Sequence, residues 1–186
     1  MNDTALIIVD LQNDYFPGGT MELSGIEQAS RNAARILQHF RSSGLSVHHI
    51  RHISVHEGAT FFLSNTQGSE IHAAMSPVEG ESVIIKHFPN SFLATELEKA
   101  LKGQSVKQLI ICGAMSHMCI DATTRAAFDL GFGCMVAHDA CATKDLEFLG
   151  KITPAAQVHA AFMAALNGIY ARVISTEEIL ASSGVR

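Results

Sequence analysis

The chain has 186 residues, 47% of them hydrophobic, which suits one large core and a single domain over 1–186. Its 13 Lys and Arg stand against 18 Asp and Glu, a formal net charge of −5 with no basic cluster. That balance argues against a nucleic-acid partner, because phosphate binding needs concentrated cations. No apolar run approaches the length of a membrane span, and acids stand where a signal peptide would carry Lys or Arg; the expectation is a cytoplasmic protein with no membrane partner.

The first element is "TALIIVD" (4–10), a continuously apolar run that reads as a strand covered on both faces. "SGIEQASRNAARILQHFRSSG" (24–44) follows as an amphipathic helix, with Ser24 as N-cap and Gly44 closing it. "LSVHHI" (45–50) and, after an irregular segment, "SVIIK" (82–86) are the next strands. "SFLATELEKALKG" (91–103) reads as a helix with Ser91 at its cap, and "KQLIICG" (107–113) as a strand running into a further helix past Cys119. "GCMVAHDA" (133–140) is a strand, "TPAAQVHAAFMAALNGIY" (153–170) a helix with Pro154 in its first turn, and "ARVIS" (171–175) the last strand. Strands alternating with helices predict an α/β fold: a parallel sheet of six strands between two helical layers.

In such a sheet, ligands bind beyond the carboxyl ends of the strands. Three chemically capable residues lie there. Asp10 ends the first strand, Lys86 ends the third, and Cys119 follows the strand 107–113. A thiol attacks an acyl carbon as thiolate, which a helix N-terminus and a nearby cation favour, so Lys86 could serve Cys119. Asp10 could take the thiol proton and return it to a leaving group, and backbone N–H groups in the turn 114–119 could hold an oxyanion. Each residue also has an ordinary reading: Cys119 as inert core, Asp10 as a turn residue, Lys86 as a solvated cation. Residue type and position alone leave both sets open. The four cysteines, at 112, 119, 134 and 141, form no CxxC pair, and a chain of this size does not depend on disulfides.

The ordered segments "IIVDLQNDYFPGG", "IIKHFPNSFLATELE" and "ICGAMSHMCIDATTRAAFDLGF" resemble those of the isochorismatase-like cysteine hydrolases. That family includes nicotinamidases, N-carbamoylsarcosine amidases and ureidoacrylate-type amidohydrolases. The third segment is similar to the family's Gly-x-x-Thr-x-x-Cys stretch, with Ser116 in the Thr position. The resemblance implies a three-layer α/β/α fold and a catalytic trio of Asp10, Lys86 and Cys119. It further implies a cis peptide near Ala114–Met115 that turns the Met115 and Cys119 amides toward one oxyanion site. The implied activity is hydrolysis of a small carboxamide or ureido compound through a thioester. Two alternatives stand beside it. One is an isochorismatase-type vinyl-ether hydrolase using Asp10 as acid; the other is a non-catalytic thiol-sensing or binding protein that kept the fold.

The nicotinamidase branch carries zinc on an Asp-x-His motif and a further His after the second strand. Here that region is "HHIRHISVHEG", with His48, His49, His52 and His56, but no Asp lies between 15 and 120. Strand alternation also separates His48 and His52 from His49. No metal and no cofactor is therefore expected, and His52 and His56 are read as pocket or interface residues. Phe16, after the first-strand Asp, and Phe61 are candidate substrate-binding residues, suited to a small-molecule substrate. Ser116, His117 and Met118 are candidates for substrate preference. The helix 153–168 is small and apolar all round, and family members are generally dimers or larger, so a homo-oligomer is expected.

Overall fold

The structure, a computed structural model, describes residues 3–182. Six strands form one sheet: β1 Thr4–Val9, β2 Ser46–His52, β3 Ser82–Lys86, β4 Gln108–Ala114, β5 Gly133–Ala142 and β8 Arg172–Ile174. Their order is β3-β2-β1-β4-β5-β8, and every neighbouring pair runs parallel. The helices are α1 Ile26–Ser42, α2 Leu97–Gly103, α3 Asp121–Asp129, α4 Ala155–Leu166 and α5 Thr176–Ser182.

The period of two in β1 divides the core. Leu6 and Ile8 point into the cluster that α1 and α5 complete through Ala33, Ile36, Leu37 and Ile179. Ala5, Ile7 and Val9 point into the opposite cluster, closed by Leu97 and Leu101 of α2, Ala127 of α3 and Met163 and Leu166 of α4. Each large aliphatic side chain of β1 is almost fully buried and contributes roughly 1.5–3 kcal/mol relative to an exposed position. The result is the predicted three-layer sandwich.

Strand order reverses beside β1, whose partners are β2 on one side and β4 on the other. A crevice opens at such a switch point, outside the carboxyl ends of the strands, and β1 and β4 lead to Asp10 and Cys119 there. Gly113 makes the close approach possible. It adopts φ +125°, and a Cβ would lie 2.0 Å from the Val9 carbonyl oxygen. At the same point the β4–β5 register shifts between Ile111 and Gly113. Only glycine lets β4 bend against β1 and deliver residues 114–119 to the crevice.

Several boundaries differ from the expectations. α1 begins at Ile26 after Gly25, which has φ +72°, and Ser24 pairs with Thr143 rather than capping the helix. The helix expected over 91–103 is only Leu97–Gly103. Ser91 is tied through its N–H and hydroxyl to Thr123, and Ala94 sits at φ +56°, so the chain turns before it coils. The helix expected over 153–170 is Ala155–Leu166, and its outer residues Ala156, Ala160, Ala161, Ala164 and Ala165 face outward rather than into a core. An antiparallel hairpin precedes it, β6 Leu146–Phe148 and β7 Lys151–Thr153, and α5 follows the last strand; neither was expected.

Candidate active site

Asp10 leaves β1 in the left-handed region, at φ 51°, a conformation Asp tolerates better than most residues. Its N–H donates to the Ile50 carbonyl, so the carboxylate is delivered to the crevice rather than continuing the strand. Lys86 is the last residue of β3 and is completely buried, as is Asp10. The two meet at 2.7 Å, Lys86 Nζ to Asp10 Oδ2. Lys86 Nζ also donates to Cys119 Sγ at 3.1 Å and to the Phe88 carbonyl at 3.1 Å. The three residues named from sequence thus converge on one ammonium group.

Cys119 lies in a single π-type turn, Ser116–Ile120, which joins β4 to α3. The Met115 carbonyl accepts from the N–H groups of both Met118 and Ile120, and the Ala114–Met115 peptide bond is cis. Single π turns inside helices occur often at functional sites. Burial, then the Asp10 carboxylate, push the Cys119 thiol up to about 12, while Lys86 pulls it down. Burial lowers Lys86, but Asp10 and Cys119 outweigh it and hold the ammonium above its ordinary value. The resting site therefore holds a charged lysine and a protonated thiol beside Asp10. Moving the thiol proton to Asp10 leaves the net charge of the trio unchanged, so it adds no net charge to this buried place.

A cavity of about 170 Å³ opens on Cys119, walled by Tyr15, Phe61, Pro89, Met115 and Met118 and edged by Ser54 and three histidines, His52, His56 and His87. Phe61 is where the sequence put it. Phe16 is not: it turns away and stacks on His72, ring centroids 3.7 Å apart. Asn13–Tyr15 form one tight 3-10 turn, which sends successive side chains in different directions, and Tyr15 takes the wall instead, packed on Phe61 and Phe62. Larger surface concavities exist, but the one lined by Asn13, Phe16 and His72 does not reach the thiol. Of the turn residues, Met118 lines the cavity, whereas Ser116 is buried against His159 and His117 is bonded to Thr143.

His52 is the neighbour that sequence reading underrated. Its Nδ1 lies 3.1 Å from Lys86 Nζ. Burial and then the Lys86 charge lower it to about 4, so it is a neutral imidazole accepting at Nδ1 and carrying its proton on Nε2. The signal was the pairing register: His52 stands opposite Lys86 in the β2–β3 ladder, two residues past the expected end of β2. Gln12, fully buried, clamps this residue, accepting from the His52 N–H at 2.7 Å and donating to its carbonyl at 2.8 Å. Asp14 accepts from the Phe62 N–H at 2.6 Å and so pins the loop that carries Phe61. Gln12 and Asp14 of "DLQND" are thus site scaffolding.

Several of these histidines are engaged by other protein groups. His48 is bonded to Ser46 and Ser82, His49 to Glu81, and His87 donates Nδ1–H to the Ile53 carbonyl. Among the described residues no three His, Cys, Asp or Glu side chains converge as a ligand set.

The chain is thus an α/β protein, a parallel three-layer sandwich that brings an acid, a buried lysine and a cysteine together at its switch point. The chain belongs to the isochorismatase family: the isochorismatase domain model matches residues 4–178. It is 54% identical over 177 residues to the isochorismatase family protein YddQ of Bacillus subtilis (strain 168), covering 95% of this chain and 98% of that one. The crystal structure of an isochorismatase hydrolase from Oleispira antarctica superposes with a TM-score of 0.93 at 52% identity, over 97% of both chains. More distantly, the ureidoacrylate amidohydrolase RutB of Variovorax paradoxus (strain S110) is 24% identical over 75% of this chain and 68% of its own length.

Proposed function

We propose that the protein is a cysteine-dependent hydrolase that cleaves the C–N bond of a small carboxamide or ureido compound through a thioester. The observation that carries this reading is the buried Lys86 ammonium, within 3.1 Å of the Cys119 thiol and 2.7 Å of the Asp10 carboxylate. An inert core cysteine needs neither. The amidohydrolase among the relatives supports the same chemistry.

In the proposed reaction Asp10 takes the thiol proton as Sγ attacks the carbonyl carbon, and Lys86 stabilises the sulfur as it gains charge. The Met115 and Cys119 backbone N–H groups hold the oxyanion. The C–N bond then breaks, Asp10 gives its proton to the departing nitrogen, and an S-acyl enzyme remains. Water attacks that thioester, its proton going to Asp10; the C–S bond breaks, and the proton returns to sulfur as the acid leaves. Four free, buried cysteines suit a reducing compartment, in keeping with a cytoplasmic site of action. Among the described residues, no helix is long and apolar enough to cross a membrane.

The homo-oligomer belongs to the same reading. Phe148, Leu149 and Ile152 of the hairpin are 76%, 86% and 68% exposed beside the uncharged outer face of α4. A second copy presenting the same apolar face is the proposed cover, since a two-fold pairing needs only one self-complementary patch and no countercharge.

The test is ammonia or amine release from a panel of small amides and ureido compounds, nicotinamide included, with isochorismate alongside. Cys119→Ala should lower amide turnover by about 1,000-fold or more. Full amide turnover in that variant, or isochorismate as its only substrate, overturns the reading.

A further inference from the structure

The chemistry at Cys119 leaves open which acyl groups reach it, and the charges around the cavity bear on that. Among the residues that wall it there is no Lys or Arg. The nearest cation, Lys86, has no exposed surface and is already held by Asp10, Cys119 and the Phe88 carbonyl. Arg51 is taken by Ser69 and Glu70. Two acidic side chains stand behind the walls, Asp10 and Asp14, and both act on the wall residue Tyr15. Of the imidazoles at the rim, His52 is neutral, His87 has its Nδ1–H committed to Ile53, and His56 lies exposed beside Glu57. Aromatic, proline and methionine side chains supply the rest.

We infer that this site selects uncharged substrates, amides whose acyl portion is neutral, apolar and about the size of one six-membered ring, and rejects those bearing a carboxylate. This rests on the proposed amide hydrolysis and narrows it. The size follows from the volume: a dry apolar cavity of about 150 Å³ accommodates one benzene molecule, and this one is about 170 Å³. The charge preference follows from desolvation. A carboxylate entering here loses its water, meets no free cation, and faces two fixed carboxylates against one committed ammonium. Dianionic isochorismate falls on the rejected side.

Two measurements at pH 8, where an unperturbed imidazole is neutral, test the inference. The first reads the site without turnover: the alkylation rate of Cys119 by neutral iodoacetamide relative to anionic iodoacetate, followed by peptide mass and divided by the same ratio for free cysteine. The normalised ratio should exceed about tenfold; any smaller value overturns the inference. The second compares two amides of matched shape, 4-methylpentanamide and succinamate. The neutral amide should be favoured in kcat/KM on the order of 100- to 1,000-fold. Comparable turnover of succinamate overturns charge selection while leaving amide hydrolysis standing. If no compound of the amide and ureido panel turns over while the alkylation ratio is high, hydrolysis fails and the charge selectivity of the site stands.

Discussion

Replacing Lys86 by Met tests whether the buried ammonium holds the site together. The substitution keeps the length of the side chain and removes its charge. It leaves Asp10, which is 0% exposed, without its ion-pair partner, and Asp10 Oδ1 already lacks a hydrogen bond. At 2.7 Å and an effective dielectric constant near 20, the lost attraction is about 6 kcal/mol. Water entry and relaxation recover part of it, so the net destabilisation should be about 3–5 kcal/mol at pH 7.5. Urea unfolding of the wild type, Lys86→Met, Asp10→Asn and the double variant closes a thermodynamic cycle. The double variant should be more stable than Lys86→Met, because no uncompensated charge remains, yet it should be as inactive as either single variant. A Lys86→Met protein within about 1 kcal/mol of wild type would refute the reasoning, since an exposed pair is worth no more than that.

Three further outcomes follow from the geometry. Gly113→Ala should destabilise the fold by about 3 kcal/mol or more, read by thermal melting, because its Cβ would stand 2.0 Å from the Val9 carbonyl oxygen at φ +125°. Stability should rise with pH between about 4 and the ordinary imidazole value near 6.5. Buried His52 takes up its proton only at about 4, and burial lowers His48, His49 and His159 in the same direction. The unfolded chain therefore binds more protons in that window, and the stabilisation is complete above it; His52→Gln should flatten the slope measured by urea unfolding at stepped pH. Phe148→Glu, at a 76% exposed hairpin position, should shift the particle toward the monomer in light scattering, and an unchanged mass would place the subunit contact elsewhere.

The sheet was legible because β1, β4 and β5 are apolar runs between helical patterns, a signal that burial on both faces enforces. Asp10, Lys86 and Cys119 were legible as candidates because each follows such a run, and strand ends in a parallel sheet face one crevice. What stayed hidden depended on tertiary detail. His52 required the β2–β3 register. The swap of Phe16 for Tyr15 required the pitch of one 3-10 turn. The break before α2 required the Ser91–Thr123 bonds, which join residues 32 apart. The hairpin β6–β7 leaves Phe148, Leu149 and Ile152 exposed, so its pattern lacks the polar outer face by which a surface hairpin is recognised.

The central claim is that Cys119 carries the acyl group. Mixing the wild-type protein with a hydrolysed amide, quenching in acid within milliseconds and weighing the intact chain should reveal one added acyl mass. Peptide mapping should place it on Cys119 and not on Cys112, Cys134 or Cys141, all of which are buried and unpaired. Cys119→Ala should show neither adduct nor turnover. An adduct on another residue, or steady hydrolysis by Cys119→Ala, would contradict the account.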